Sequence, residues 1–199
     1  MDLASGLWPV RGLHAQRSFD AVRRQVASAY GTGIFRGDPV AQSSDGSWTV
    51  AGTSSLVSGV SDGASYVLSG KRVSDKFLPA STSYTPTALG SQNASFIYAF
   101  VDPGIIYECV FSAALTSDYY KYVGENANGL GGTAGSTTTG ISGYQIDIAS
   151  LGTGSAQFRV YYLDDMTADE DVTASTVKGF FQYNAGTAGG NPYLTSTGV

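Results

Sequence analysis

An all-β fold is predicted by three features of the sequence: many small and hydroxyl-bearing residues, many aromatic residues, and short apolar runs broken by turn residues. The 199-residue chain contains 26 glycines, 13 tyrosines and 9 phenylalanines. Glycine and β-branched residues weaken helices, whereas Tyr, Phe, Val and Thr suit strands. We therefore expect one antiparallel β-barrel or β-sandwich, with jelly-roll and tulip-like strand orders both open.

The apolar runs recur at roughly the 8–12-residue spacing that is typical of sandwiches and barrels. The strands we predict are Ile34–Arg36, Ser47–Val50, Leu56–Val60, Ser65–Leu68, Ser95–Val101, Gly104–Phe111, Tyr144–Ile148, Ala156–Leu163 and Val177–Tyr183. In the eighth of these, alternation predicts that Phe158, Val160 and Tyr162 share one face. A helical turn is predicted over residues 113–122, where Asp118 and Lys121 have the spacing of an ion pair.

The clearest turn is Asp102-Pro103-Gly104, because Pro presets φ and Gly accepts positive φ. It predicts a hairpin between Ser95–Val101 and Gly104–Phe111. Alternation in the second strand places Ile105, Tyr107 and Cys109 on one face and Ile106, Glu108 and Val110 on the other.

Three segments are expected along the chain: an N-terminal arm over residues 1–30, a β-rich body over 31–184 and a C-terminal tail over 185–199. Pro9 favours extended backbone at Trp8. Phe19, Val22 and Val26 have helical spacing, but three apolar residues form a small seam, so we expect an extended arm that orders only against a partner. Residues 124–143 form a long Gly-rich loop of the kind that is functional or disordered.

Charge is distributed unevenly over the chain. The first 36 residues contain five arginines and two aspartates, a net charge of +3, which leaves −8 for the rest of a chain whose total is −5. Because an acidic chain is repelled by phosphate backbones, no nucleic-acid partner is expected. A basic arm on an acidic body suits docking onto an acidic protein. The interface residues we predict for this arm are Trp8, Pro9, Arg11, Arg17, Arg23 and Arg24.

Little in the sequence suggests catalysis, and we expect no enzyme activity, no cofactor and no metal. The single histidine, His14, lies in the arm, and the single cysteine, Cys109, lies in an apolar run. Asp102 and Glu108 are the one carboxylate pair that a glycosidase could use. The acidic run 164–171 lacks the alternating spacing of an EF-hand, so a solvated loop is favoured over a calcium site.

Two further classes of partner are also not expected. Gly129–Gly135 has no neighbouring Lys and opens no predicted helix, which disfavours a nucleotide site. The sequence has no apolar stretch of about 18 residues, so we expect no membrane span. Tyr119, Tyr120, Tyr122, Tyr161 and Tyr162 favour a core or a protein interface, where amphipathic rings are enriched.

Four strings of residues, in this order and at this spacing, resemble the head-decoration proteins of tailed phages. They are Gly6–Leu13, Ala27–Val40 with its Gly37-Asp38-Pro39-Val40, Asp102–Cys109, and Gly140–Asp147. The resemblance as a whole spans about residues 6–163, most of the chain. Two regions depart from the family pattern: Leu56–Gly70 is shorter, and the acidic loop after Val160 differs.

The resemblance implies a β-rich capsid decoration (cement) protein that binds the major capsid protein on the outer surface of the virion. It also implies a homotrimer, assembled in the host cytoplasm, whose N-terminal arm touches neighbouring subunits. On this interpretation, deletion of Met1–Ala29 should leave the body folded and weaken head binding. The exposed tyrosines support an alternative, a carbohydrate-binding β-sandwich of a phage fibre or surface protein.

Overall fold

The computed structural model describes residues 6–12, 19–27, 30–53, 55–80, 94–115, 119–130, 134–152, 154–163 and 177–184. These residues form antiparallel strands and two short 3-10 helices, and no α-helix occurs among them. The predicted all-β class is therefore confirmed. Arg17, His14, Asp118, the acidic run 164–171 and the tail 185–199 lie outside the described residues.

Two large sheets make up most of the molecule. The first has the order β1-β10-β15-β14-β11, formed by Trp8–Gly12, Ile105–Val110, Lys178–Tyr183, Phe158–Leu163 and Asn126–Ala127. The second has the order β2-β9-β6-β4-β5, formed by Ala21–Gln25, Phe96–Phe100, Gly59–Leu68, Pro39–Gln42 and Trp48–Val50, with β7 (Lys71–Asp75) also paired to β6. Two small sheets pair β3 (Ile34–Phe35) with β8 (Phe77–Leu78), and β12 (Gly129–Leu130) with β13 (Gln145–Ile146).

The second sheet curls until its two ends meet. An isolated parallel bridge joins Val26, directly after β2, to Trp48 at the start of β5. The sheet is therefore barrel-like, and its inner face has a core of its own. That core consists of Val26, Ile34, Val40, Trp48, Ala64, Tyr66, Leu78, Ile97 and Ala99.

A larger core lies between the two large sheets. Its members from the barrel-like sheet include Val60 and Phe100, and its members from the first sheet include Ile105, Tyr107, Cys109, Phe158, Val160 and Phe181. Burial of Ile105, Tyr107 and Cys109 in this core confirms the predicted face of β10. Each large aliphatic or aromatic side chain so buried stabilises the fold by about 1.5–3 kcal/mol.

The predicted hairpin at Asp102-Pro103-Gly104 is wrong, although the turn itself is present. Asp102 Oδ1 accepts from Gly104 N at 2.8 Å, and Asp102 O accepts from Ile105 N at 3.2 Å. The chain reverses there but crosses between sheets, so that β9 pairs with β2 and β6, while β10 pairs with β1 and β15. In the first sheet β10 lies between β1 and β15, and both of its faces are buried.

The expectation of an arm that orders only against a partner is also wrong for the described part of residues 1–30. β1 pairs with β10, and β2 pairs with β9 over all five of its residues, with no helical turn there. Leu7 and Val26 are each 1% exposed and belong to the two cores. Removal of Met1–Ala29 would therefore leave cavities in both cores, which corrects the prediction that the body folds without them.

Three smaller predictions are changed by local irregularities. A bulge between Val160 and Tyr162 resets the alternation of β14, so that Leu163 joins the core and Tyr162 instead stacks on Phe180, with ring centroids 4.0 Å apart. Leu56–Val60 and Ser65–Leu68 are not two strands, because β6 runs continuously through Gly59–Leu68. Within the predicted helical turn over 113–122, the described residues include a 3-10 helix at Tyr119–Tyr122.

Part of the Gly-rich loop 124–143 is packed, because two of its glycines lie against aromatic rings. A Cβ at Gly129 would overlap the Tyr144 hydroxyl at 1.5 Å, and one at Gly135 would lie 2.3 Å from the Phe35 ring. The loop also contains β11 and β12. Its described residues therefore belong to the folded body.

Candidate interaction surface

The residues predicted for a capsid interface do not form one arm. Trp8, Pro9 and Arg11 lie on β1, the terminal strand of the first sheet, whereas Arg23 and Arg24 lie on β2, the terminal strand of the barrel-like sheet. Each strand pairs with one of the two strands joined by the 102–104 turn. The predicted residues therefore occupy two sheet edges, and each edge has its own surroundings.

On β1, the half-buried Trp8 packs beside Arg36. The Arg36 guanidinium carbon lies 5.3 Å from the Trp8 ring centroid, a cation–π arrangement. Arg36 also donates from Nε to Asp62 Oδ1 at 2.8 Å, and its terminal nitrogen lies 2.8 Å from the same oxygen. The positive charge beside Trp8 is therefore balanced within the protein.

A polar junction holds the start of β1 to the body. Gly6 N donates to Tyr144 O and Leu7 N donates to Gly37 O, both at 2.9 Å. Arg36 N donates to Gly140 O at 3.0 Å, and Arg36 O accepts from Ser142 N at 2.9 Å. Because these bonds join three distant parts of the chain, the junction fixes β1 in place.

Asp38 is the buried charge of this junction, with 7% exposure. Its carboxylate accepts from the Ser142 hydroxyl and from Phe35 N, the latter at 2.7 Å. Burial raises the pKa of Asp38 to about 6, and the two hydrogen bonds oppose that rise. Asp38 therefore joins the backbone at Phe35 to the side chain of Ser142 within the polar junction.

On β2, Arg23 and Arg24 point to opposite faces of the strand. The exposed Arg23 lies over the Phe96 ring, with its guanidinium carbon 3.5 Å from the centroid. Arg72 of β7 lies 5.5 Å from the same centroid and donates to Ser65 Oγ at 3.2 Å and to Ala94 O at 3.4 Å. The outer wall of the barrel-like sheet thus carries two arginines around one aromatic ring.

Arg24 lies over Trp48, with its guanidinium carbon 5.3 Å from the ring centroid. A depression of about 330 Å³ opens beside this pair, at the seam where Val26 and Trp48 join the ends of the sheet. Its lining residues are Arg23, Arg24, Gln25, Gln42, Gly46 and Trp48, and we call it the Arg24 groove. The groove combines positive charge, side-chain amides and an aromatic wall.

Three residues that sequence analysis considered for chemistry, Asp102, Glu108 and Cys109, form structural contacts or are buried. Asp102 caps its own turn, and Glu108 forms an ion pair with Lys178 at 2.9 Å. Cys109 is buried, which raises the pKa of its thiol to about 12 and keeps it protonated at neutral pH. Within the described ranges, no three His, Cys, Asp or Glu side chains cluster in a way that could hold a metal ion.

The tyrosines divide between surface and packing. Tyr120 is 61% exposed and Tyr161 is 38% exposed, whereas Tyr162 stacks on Phe180. Tyr161 lies edge-on to Tyr162, with centroids 5.8 Å apart. Among the tyrosines of the predicted set whose side chains the structure describes, Tyr120 and Tyr161 are therefore the most exposed.

Sequence reasoning missed the partners of the predicted residues. Arg36, Asp62, Trp48, Phe96 and Arg72 belong to the two edges, yet nothing in their spacing indicated it. Arg36 and Asp62 are 26 positions apart, and Asp38 and Ser142 are 104 apart. Such pairs are brought together only by strand pairing and by the crossing of the chain between sheets.

Comparison with known proteins identifies no family: no family model, no curated protein and no solved structure matches the chain. No helix in the described parts of the chain is long and apolar enough to cross a membrane.

Proposed function

We propose that the protein is a capsid decoration protein that binds the outer surface of a tailed-phage head. Its partner would be the major capsid protein, and it would act as a homotrimer at the virion surface. A protein of this kind stabilises a shell by linking folded neighbours, because a ligand that binds only the assembled state stabilises that state. Many symmetric copies turn modest interfaces into strong total binding.

The observation that carries the proposal is the convergence of three of the resembling strings at one place. Gly6 and Leu7, Arg36 to Asp38, and Gly140 to Tyr144 come from the first, second and fourth strings, and their hydrogen bonds form the polar junction. Because residues of these three strings hydrogen-bond to one another, the fold of the junction requires all three strings in the same chain. This supports a common structural basis for the resemblance to decoration proteins.

The arginines of β2 supply a second line of support. An acidic chain with a net charge of −5 concentrates Arg23 and Arg24 on one terminal strand. Neither arginine has an ion-pair partner among the described residues. A local positive patch on an acidic protein favours docking onto an acidic protein surface in one orientation.

The test is to mix the purified protein with undecorated phage heads and to image the particles by cryo-electron microscopy. The proposal predicts regular extra density on the outer shell, and light scattering of the free protein should give three times the chain mass of 20.7 kDa. Heads that stay bare at saturating protein would contradict decoration. A monomeric mass together with occupied heads would contradict only the trimer in solution.

A second candidate function is carbohydrate binding, favoured by the exposed rings of Tyr120 and Tyr161. Aromatic faces with a nearby polar rim are suited to sugar rings. A glycan array with the fluorescently labelled full chain tests this candidate, and Tyr120→Ala is the matched variant. Binding that Tyr120→Ala abolishes would support the sugar site, and a blank array would contradict it.

A further inference from the structure

Arg24, which lines the Arg24 groove, has an incompletely satisfied guanidinium among the described residues. Arg24 Nε is buried and has no hydrogen-bond partner, and neither Arg24 nor Arg23 forms an ion pair within the described structure. Buried polar groups are almost always paired, and an unpaired one destabilises the fold. The charge of the Arg24 guanidinium is therefore not balanced by the described residues, and a groove lined by it favours a negatively charged group.

We propose that the Arg24 groove binds a carboxylate side chain from an acidic segment of a partner polypeptide. This inference rests on the proposed function, in which that polypeptide is a capsid subunit. A guanidinium presents its N–H donors in one plane and matches the two oxygens of a carboxylate. Trp48 covers one face of Arg24, so the free edge of the guanidinium remains for the ligand.

The size and lining of the groove favour a single carboxylate over a larger anion. About 330 Å³ accommodates one acidic side chain with part of its backbone, and Gln25 and Gln42 line the same space. Amide groups of this kind can hydrogen-bond the peptide groups that flank a bound side chain. A long polyanion would instead meet the net charge of −5 carried by the chain as a whole.

The acidic residue closest in sequence to a groove-lining residue, Asp45, is hydrogen-bonded within its own loop. Asp45 precedes the groove residue Gly46, and its Oδ1 accepts from Ser47 N at 2.9 Å and from Ser47 Oγ at 2.7 Å. These bonds hold the Asp45 carboxylate on its own loop and lower its pKa. Asp45 therefore does not supply an acceptor for Arg24, although it is adjacent to the groove in sequence.

The protein provides its own reference site. Arg36 lies over Trp8 at the same 5.3 Å as Arg24 over Trp48, but Arg36 is paired with Asp62. Trp8 and Trp48 are the two tryptophans of the chain. A ¹⁵N-labelled sample therefore gives two indole signals, which the variant Trp8→Phe assigns.

The experiment is a nuclear magnetic resonance titration of the full chain with the hexapeptide acetyl-Gly-Ser-Glu-Glu-Ser-Gly-amide. The same peptide with Gln in place of both Glu is the control ligand. The acidic peptide should shift the Trp48 indole signal saturably and leave the Trp8 signal nearly unchanged. The Gln peptide should bind about tenfold more weakly, because it lacks the charge-assisted pair.

Two variants locate the effect. Arg24→Gln should weaken the acidic peptide about tenfold, whereas Arg72→Gln, which removes a stacked arginine outside the groove, should change affinity by less than about twofold. Arg24→Lys keeps the charge but loses the planar set of N–H donors that matches a carboxylate, so it should weaken binding by an intermediate factor. Arg24→Lys also serves as the test variant if Arg24→Gln does not fold.

The inference is overturned if Trp48 does not respond to the acidic peptide, or if it responds equally to both peptides or equally in Arg24→Gln. A neutral hexasaccharide that shifts Trp48 when the peptide does not would also overturn it, by assigning the groove to sugars. If wild-type protein decorates heads but gives no peptide response, the inference fails and decoration stands. If the peptide shifts the Trp48 signal but heads stay bare, decoration fails and the inference that the groove binds a carboxylate stands.

Discussion

Two arginine–tryptophan pairs of equal spacing lie at the edges of two different sheets, and they differ in how their charge is balanced. At the Trp8 edge, Asp62 neutralises Arg36, and hydrogen bonds tie the adjacent backbone to the body. At the Trp48 edge, Arg24 has no ion-pair partner among the described residues and borders a groove. The same pair of residue types is thus complete at one edge and open to a ligand at the other.

The difference arises from a bulge in β6. The register of β6 against β9 shifts between Ser61 and Gly63, so Asp62 is the extra residue. A bulge of this kind re-aims a side chain out of the regular alternation, and here the Asp62 carboxylate meets Arg36. No such irregularity occurs in β2, where pairing with β9 is continuous from Ala21 to Gln25.

The largest predicted effect tests whether the Trp8 edge is part of the fold. Leu7→Ala removes a side chain that is 1% exposed in the core between the sheets, so the free energy of unfolding should fall by about 2–5 kcal/mol. Urea denaturation measures this. Val10→Ala, at a site that is 43% exposed on β1, the strand directly after Leu7, is the control and should change stability by about 0.5 kcal/mol or less. Equal losses in both variants would contradict the assignment.

The next effect concerns Asp38 in the polar junction that holds the start of β1. Asp38→Ala leaves Ser142 Oγ and Phe35 N without their shared acceptor, which should cost about 1–3 kcal/mol when the carboxyl is protonated. Its pKa of about 6 in the folded chain exceeds the ordinary value of about 3.9. The stability that this group contributes is therefore present at low pH and lost as pH rises through about 6.

The measurement for Asp38 is urea denaturation of wild type and Asp38→Ala at pH values from 4.5 to 7.5. The stability advantage of wild type should grow as pH falls through about 6. Taking the difference between the two proteins cancels the titration of the other groups. A constant difference across this range would contradict a raised pKa for Asp38.

A smaller effect on stability is expected when the charge that balances Arg36 is removed, because the Trp8 edge then resembles the Trp48 edge. Asp62→Asn keeps an oxygen acceptor for Arg36 but removes the balancing charge, and the partly exposed pair contributes only about 0.2–1 kcal/mol. The loss of stability should be correspondingly small. In the peptide titration, however, the Trp8 indole signal should now respond to the acidic peptide. A silent Trp8 signal in this variant would show that free charge beside tryptophan is insufficient for binding.

Much of the fold was predictable from local sequence, because strand propensity and turn chemistry act over a few residues. The alternation of β10 and the reversal at Asp102 follow from such rules. What local rules do not contain is the sheet that each strand joins. Hence the reversal at Asp102 was predicted correctly, but as a hairpin rather than a crossing, and the closure of the barrel-like sheet by Val26 and Trp48 was not predicted.

The candidate surface was predictable only in part. Arg23 and Arg24 stood out because arginines are concentrated near the start of an acidic chain. Their surroundings depend on Phe96 and Trp48, which lie far away in sequence, and on the unbroken register of β2 against β9. The charge of Arg36 is balanced by Asp62, which lies at a bulge in β6 that no local sequence pattern indicated. Composition therefore indicated where positive charge is concentrated, but not that Arg36 is ion-paired while Arg23 and Arg24 have no ion-pair partner among the described residues.

The most direct measurement compares the occupancy of undecorated phage heads by wild type, Arg24→Gln and Arg36→Gln under one set of saturating conditions, using cryo-electron microscopy. Wild type should occupy the shell, Arg36→Gln should occupy it comparably once its folding has been verified, and Arg24→Gln should leave most sites empty. Bare heads with wild type would contradict decoration itself. Equal occupancy by wild type and Arg24→Gln would contradict the claim that the open arginine–tryptophan pair is the docking site.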